Sequence, residues 1–351
     1  MGHKIFTYNQ PFSLESGKTL QGFHLAYTTH GSMNEKKDNV VWIFHALTAN
    51  SDPAEWWPGL VGHGKLFDPK RDFIVCVNMP GSCYGSIDPF SVKDGSKDEL
   101  WFHDFPFFTP RDMIRAYQPL REFLGIEKIQ TGIGGSMGGQ QLLEWAIEEP
   151  DLFEYIFPLA TNAFHSAWGI AFNASQRLAI ETDSSWHKKH KYAGLEGMKV
   201  ARSIALISHR HYETYRDSQG EPTNDKIENF KSESYQRYQG EKLANRFNAF
   251  SYYALSKGMD AHNVGRGRES VSAALKKIRA KTLVIGIETD ILFPLSEQLF
   301  LAQHIPGAKY KSIQSSFGHD GFLLEYEQIE QLVKEFTQVE TTEEYKFKIT
   351  A

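Results

Sequence analysis

The stretch "IQTGIGGSMGGQQLLEWAIEEP", Ile129 to Pro150, carries an apolar run into glycines around one serine and then into a helical pattern. Gly134-Gly135-Ser136-Met137-Gly138 fits G-x-S-x-G, with a predicted strand before it and a predicted helix, "QQLLEWAIEE", after it. The glycines have a steric reason. A sharp strand-to-helix turn forces the serine into a strained backbone geometry, and side chains two positions to either side would collide with it or with the neighbouring elements. Taken alone, the same pattern also suits a glycine-rich turn that binds phosphate at a helix N-terminus. Whether Ser136 is a nucleophile is therefore decided by what the rest of the chain supplies.

Working outward, short apolar runs rich in Val, Ile and aromatics recur at 23–31, 40–47, 73–79, 129–135, 155–161, 282–290 and 309–314. Most are nearly continuous rather than alternating, which predicts strands buried on both faces of a mainly parallel sheet. Helical patterns lie between several of them. In "TPRDMIRAYQPLREFLG", Thr109 is a candidate N-cap, Pro110 stands at the first helical position and Gly125 at the stop, as for a crossover helix between parallel strands. After "YIFPLATN" the strand signal ceases until Lys281. The pattern predicts an α/β core over 1–161 and 281–351, interrupted by a helical insertion over 162–280.

Composition sets the limits. The chain has 351 residues, 41% of them hydrophobic, enough for a substantial core. Its formal charge of −5 and the lack of any long basic block argue against nucleic acid and acidic membranes as partners. Two cysteines, Cys76 and Cys83, give no disulfide framework, and Cys76 in "FIVCVNM" reads as a buried small hydrophobe. The N-terminal segment has no signal-peptide apolar stretch, and no run approaches the ~18 apolar residues of a membrane span. The expected location is the cytoplasm.

A serine hydroxyl needs a base, and the base needs an acid that fixes its tautomer and stabilises its charged form. Asp290 at the end of "TLVIGIETD" and His319 in "SSFGHDGF" follow Ser136 in the order expected of an α/β-hydrolase triad, each at the carboxyl end of a strand or in the loop beyond it. Glu288 and Asp320 compete for the acid role, but Glu288 is expected within the strand and Asp320 adjoins the histidine. The oxyanion of a tetrahedral intermediate would take the amides of Met137 and Leu47, the latter in "HALTAN". His45 precedes that turn and is read as structural. No metal site is expected.

Several segments together resemble one family, the α/β-hydrolase-fold homoserine O-acyltransferases: "HALTANS", "GSCYGS", "FPFFTPRDMIRA", "GGSMGGQQLLEWA", "IAFNASQRLAI", "YQGEKLANRFNAFSYYALSKGMD" and "FGHDGFLLE". The resemblance spans nearly the whole chain, and some of these segments lie in the insertion, which a general esterase would not share. It implies an α/β-hydrolase fold with helices on both faces of the sheet and a helical lid. It further implies ping-pong transfer from acetyl-CoA, a co-substrate rather than a bound cofactor, to L-homoserine. Arg202 and Asp320 match the positions that hold the amino-acid acceptor. A homodimer formed through the lid is implied as well.

The chain departs from the family pattern at His209, seven residues after Arg202 on the same helix face, where a tyrosine is usual, and at Ile87-Asp88, where Thr-Gly is usual. Succinyl for acetyl, or serine for homoserine, turns on pocket shape and one or two polar contacts, where a methylene is worth only ~1–3 kcal/mol. Donor and acceptor therefore stay open at the level of sequence. A carboxylic-ester hydrolase with the same triad is the rival reading, and a purely binding role for the fold is disfavoured by the intact triad.

Overall fold

Eight strands build the sheet: β1 (Lys4–Tyr8), β2 (Phe23–His30), β3 (Val40–Phe44), β4 (Phe73–Val77), β5 (Ile129–Gly135), β6 (Phe153–Leu159), β7 (Lys281–Ile287) and β8 (Lys309–Ile313). The structure, a computed structural model, describes residues 2–350, and side chains as far as Gln338. The spatial order is β1-β2-β4-β3-β5-β6-β7-β8. Strand β2 pairs antiparallel with both β1 and β4, and every other pairing within this sheet is parallel. This is an α/β-hydrolase fold, as the run of buried strands predicts. Strand β1 was not among the expected elements. Its residues are exposed or half-buried in "KIFTY", so an edge strand of this kind leaves only a weak apolar signal.

The continuous apolar runs have a direct structural cause. In β3, Val40, Trp42 and Phe44 face one core while Val41 and Ile43 face the other, so period-2 alternation places apolar side chains on both sides. Full burial of each such side chain contributes roughly 1.5–3 kcal/mol relative to exposure. The sheet, and with it the carboxyl edge that carries the site, is therefore clamped from both faces. On one face, Trp42 meets Trp145 edge-on at 4.9 Å.

Helix α1 (Pro110–Phe123) begins with a full capping box between Thr109 and Asp112, has proline at its first turn, and is followed by Gly125 at φ 68°. Helix α2 (Met137–Glu148) leaves the serine turn. The two are tied by Arg111, whose Nε lies 3.1 Å from Glu144 Oε2, while Arg268 reaches the same carboxylate at 2.9 Å. Glu144 is almost fully buried, where a lone charge would be costly, and two guanidinium groups offset that cost.

Between β6 and β7 the chain forms helices: α3 (Ala167–Glu181), α4 (Leu195–His209), α5 (Tyr212–Gln219), α6 (Lys231–Ala244) and α7 (Ala249–Asp260), with a single further turn at Val271–Leu275. Helices α8 (Leu295–His304) and α9 (Tyr326–Thr350) belong to the core side. Among the described residues no helix is long and apolar enough to cross a membrane. Cys76 is fully buried and Cys83 half-buried, and both are free thiols.

Candidate active site

Ser136 sits between β5 and α2 at φ 57° and ψ −128°, a region that a non-glycine residue occupies only when its surroundings enforce it. Here they do. The Ser136 amide donates to Leu159 O at 3.0 Å, and its carbonyl accepts from Thr161 Oγ1 at 2.8 Å. A Cβ on Gly138 would lie 2.2 Å from Phe44 O, so only glycine lets the helix start this close to β3. The serine hydroxyl makes no capping hydrogen bond and is left for chemistry.

Asp290 stands three residues beyond β7, not at the strand's end as expected. It is part of a turn in which its Oδ1 accepts from the amides of Leu292 (2.8 Å) and Phe293 (2.9 Å). Its other oxygen, Oδ2, lies 2.6 Å from His319 Nδ1. Glu288 also falls just outside the strand and accepts from Ser312 Oγ, away from the histidine. Ser136, Asp290 and His319 are 6%, 5% and 3% exposed, so all three sit where water is scarce. Phe293 stacks on the His319 ring at 5.0 Å and Phe322 meets it edge-on at 5.3 Å. The same Phe322 ring packs on Gly135, next to the serine, and so bridges the nucleophile turn and the histidine loop.

Burial pulls the His319 imidazole down. The charge and hydrogen bond of Asp290, with Asp320 beside it, outweigh that and leave it raised above the ordinary histidine value. With Nδ1 committed to Asp290, Nε2 is the nitrogen that can serve Ser136.

Met137 opens α2, so its amide has no partner within the helix. Leu47 lies in the turn closed by Ala49 N to Ala46 O, at the carboxyl end of neighbouring β3. His45 does a different job: its Nδ1 bonds Ala46 O at 2.8 Å and its Nε2 accepts from Met79 N at 3.1 Å, which joins the loops after β3 and β4. Burial holds it down at about 4, a neutral linker.

The carboxyl end of α4 lies against the loop of His319. Gly318, at φ 62°, has Arg210 and His211 backbone atoms 3.0 Å from where a Cβ would stand. His209 closes α4 at this end, with its ring 5.5 Å from that of His319, and Arg202 stands two turns earlier on the same helix face. His209 lies well below the ordinary histidine value, through burial first and then the positive charge of Arg202, His319 and Arg210. It is a neutral imidazole, 3.9 Å through Nδ1 from Asp320 Oδ1. Asp320 is largely buried. Arg202 is partly buried and, among the described residues, takes part in no ion pair or hydrogen bond.

Arg210 is the residue that sequence reasoning missed; its Nε lies 2.9 Å from Asp320 Oδ2. "SHRHY" offers three adjacent basic side chains, and nothing in their order tells which faces the loop more than a hundred residues later. Ile87 and Asp88 take no part in the triad's hydrogen bonds. Ile87 is core, and Asp88 accepts from Ser91 Oγ and Phe90 N, with burial pushing its carboxyl up to about 6.

Residues 39–326 match the family model of the alpha/beta hydrolase fold. The homoserine O-acetyltransferase of Cyclobacterium marinum is 48% identical over 336 residues, covering 96% of this chain and 95% of that protein. The homoserine O-acetyltransferase of Chlorobaculum tepidum is 40% identical over 95% of this chain and 94% of its own. Among solved structures, the homoserine O-acetyltransferase of Bacillus anthracis superposes with a TM-score of 0.85 at 23% identity, covering 96% of this chain and 98% of that one. Esterase E22 superposes with a TM-score of 0.86 at 21% identity, covering 95% and 99%. Both activities thus occur on this fold at similar structural likeness, and the shape alone does not choose between them. Sequence identity at nearly full coverage does: the chain belongs to the homoserine O-acetyltransferase family of α/β-hydrolase-fold proteins.

Proposed function

We propose that the chain transfers an acetyl group from acetyl-CoA to the hydroxyl of L-homoserine through an acetyl-serine on Ser136, giving O-acetyl-L-homoserine for methionine biosynthesis. The observation that carries this reading is a buried His319–Asp290 pair and a strained, glycine-flanked Ser136 turn bridged by Phe322, together with Arg202, a partly buried arginine that has no counter-charge among the described residues. An ester hydrolase has no use for such a cation, whereas an amino-acid acceptor brings the carboxylate that pairs with it.

In the first half-reaction His319 Nε2 takes the Ser136 proton as Oγ bonds to the thioester carbon, and the oxyanion is held by the Met137 and Leu47 amides. Collapse breaks the carbon–sulfur bond, and His319 returns the proton to the leaving thiolate. In the second, His319 takes the proton of the homoserine hydroxyl as it attacks the acetyl carbon, then gives it back to Ser136 Oγ. The helices over 162–280 act as a lid that keeps the ester dry and places the acceptor hydroxyl, so that water loses the competition.

Arg202 pairs with the acceptor carboxylate and Asp320 with its ammonium, while neutral His209 lies alongside. Loss of either charge costs roughly 2–5 kcal/mol in acceptor binding or transition-state stabilisation. Arg202→Ala and Asp320→Asn are therefore expected to form the acetyl-enzyme normally and to pass it to homoserine at least ~30-fold less efficiently. Rapid quenching separates the two half-reactions. Slowed acylation with unchanged acceptor transfer in Arg202→Ala would place that arginine on the donor side instead.

We further propose that two chains pair through this lid. Large apolar side chains exposed on it include Trp168, Leu178, Val200, Ile207, Tyr212 and Ile227. Sedimentation equilibrium is expected to give a dimer, and Ile207→Asp with Tyr212→Asp to weaken it. A wild-type monomer across the micromolar range overturns the pairing.

A further inference from the structure

Arg210 follows the last residue of α4, and its guanidinium lies over the Phe317 ring at 5.9 Å. Its Nε approaches Asp320 Oδ2 to 2.9 Å, yet the approach is not aligned as a hydrogen bond, and this buried donor has no other partner. Asp320 is thus gripped by charge on one oxygen and accepts no hydrogen bond among the described residues. Its second oxygen, Oδ1, faces the neutral His209.

We propose that Arg210 is a positioning residue for recognition of the acceptor's ammonium group. By holding Oδ2 it keeps the Asp320 carboxylate turned so that Oδ1 stays open beside His209 and the His319 ring. The physical logic is one of division. A carboxylate in a largely dry site needs a cation to remain charged and oriented, but one fully satisfied by an aligned bidentate arginine would have little left for a ligand. A close, unaligned contact to one oxygen meets the first need and leaves the second oxygen free. The site's charges then match an α-amino acid: Arg202 awaits a carboxylate, and Asp320, already partnered on one side, awaits an ammonium. His209 contributes no charge that would repel it.

This inference rests on the acceptor site proposed above, so the test separates the two. Arg210→Gln keeps the side-chain length and removes the charge, whereas Arg210→Lys keeps the charge. 4-Hydroxybutanoate serves as the second acceptor because it retains the carboxylate and hydroxyl of homoserine and lacks only the amino group. In Arg210→Gln the KM for homoserine is expected to rise by about 10-fold or more, with acetylation of Ser136 and transfer to 4-hydroxybutanoate each within about 2-fold of wild type. Arg210→Lys is expected to recover part of the loss.

Equal losses with both acceptors, a slowed acetylation, or an unchanged homoserine KM would each overturn the assignment. A merely structural Arg210 predicts the first two of these. Asp320→Asn is measured in parallel. If it fails to weaken homoserine selectively, the acceptor site itself is misassigned; if it does so and Arg210→Gln does not, only the role given to Arg210 falls.

Discussion

Replacing Ser136 by alanine is expected to lower acetyl transfer by a factor of at least ~10³, because its hydroxyl, at the strained turn bridged by Phe322 to the His319–Asp290 pair, is the one that takes the acetyl group in the proposed first half-reaction. The variant should fold as the wild type does. The strained turn is held by hydrogen bonds to the Ser136 backbone, from its amide to Leu159 O and from the Thr161 hydroxyl to its carbonyl, and alanine keeps both. Alanine also carries the same Cβ, so the positive φ costs it no more than it costs serine. Removing the hydroxyl therefore isolates chemistry from stability. Mass spectrometry of wild type mixed with acetyl-CoA alone should show one added acetyl group, mapped to the peptide containing Ser136, and Ser136→Ala should show none. An acetyl group on any other residue would overturn the mechanism.

The strand pattern and the serine turn were legible because local rules govern them. Continuous apolar runs reveal strands buried on two faces, and a glycine-flanked serine between strand and helix has few other uses. The acid and histidine were legible through chain order, since the topology sends both to the carboxyl edge of the same sheet. Three things were hidden. Strand β1 lies at an edge where half-exposed residues blur alternation. Asp290 belongs to a turn rather than to the strand end, because the strand's own apolar signal runs into "GIETD" without a break. Arg210 meets Asp320 only through the docking of α4 onto the histidine loop, a tertiary event that side-chain spacing along one helix cannot report.

The replacement of the usual family tyrosine by His209 also takes on a physical meaning in three dimensions. On the acceptor site proposed above, a tyrosine there would offer a hydroxyl to the acceptor carboxylate. His209 is a neutral imidazole: burial first, and then the positive charge of Arg202, His319 and Arg210, lowers it well below the ordinary histidine value. A charged imidazole there would compete for Asp320 and oppose the proton that His319 must accept. Burial, reinforced by these cations, thus lets a histidine stand at this position without adding a positive charge beside Asp320.

Asp290→Asn is expected to lower turnover by roughly 10²–10⁴ while leaving the histidine in place. Asp290 accepts the His319 Nδ1 proton at 2.6 Å and is itself fixed by the Leu292 and Phe293 amides through its other oxygen. An asparagine can satisfy only one of these demands. If its carbonyl keeps the backbone amides, its NH₂ faces Nδ1 and favours the tautomer with the proton on Nε2, which cannot act as base toward Ser136. The pH dependence supplies the second readout. In the wild type His319 is raised because the aspartate charge and hydrogen bond outweigh burial, so activity that needs the neutral base rises with pH through that elevated value. Removing the charge leaves burial in command, and burial favours the neutral imidazole. The acid limb of kcat/KM for acetyl-CoA should therefore move to lower pH in Asp290→Asn even as its plateau falls. His319→Ala should fall at least as far and lose that limb altogether. A plateau near the wild-type value in Asp290→Asn, or an acid limb that stays where it was, would hand the acid's role to another carboxylate. Asp320 would be the first to examine, since its charge also acts on His319.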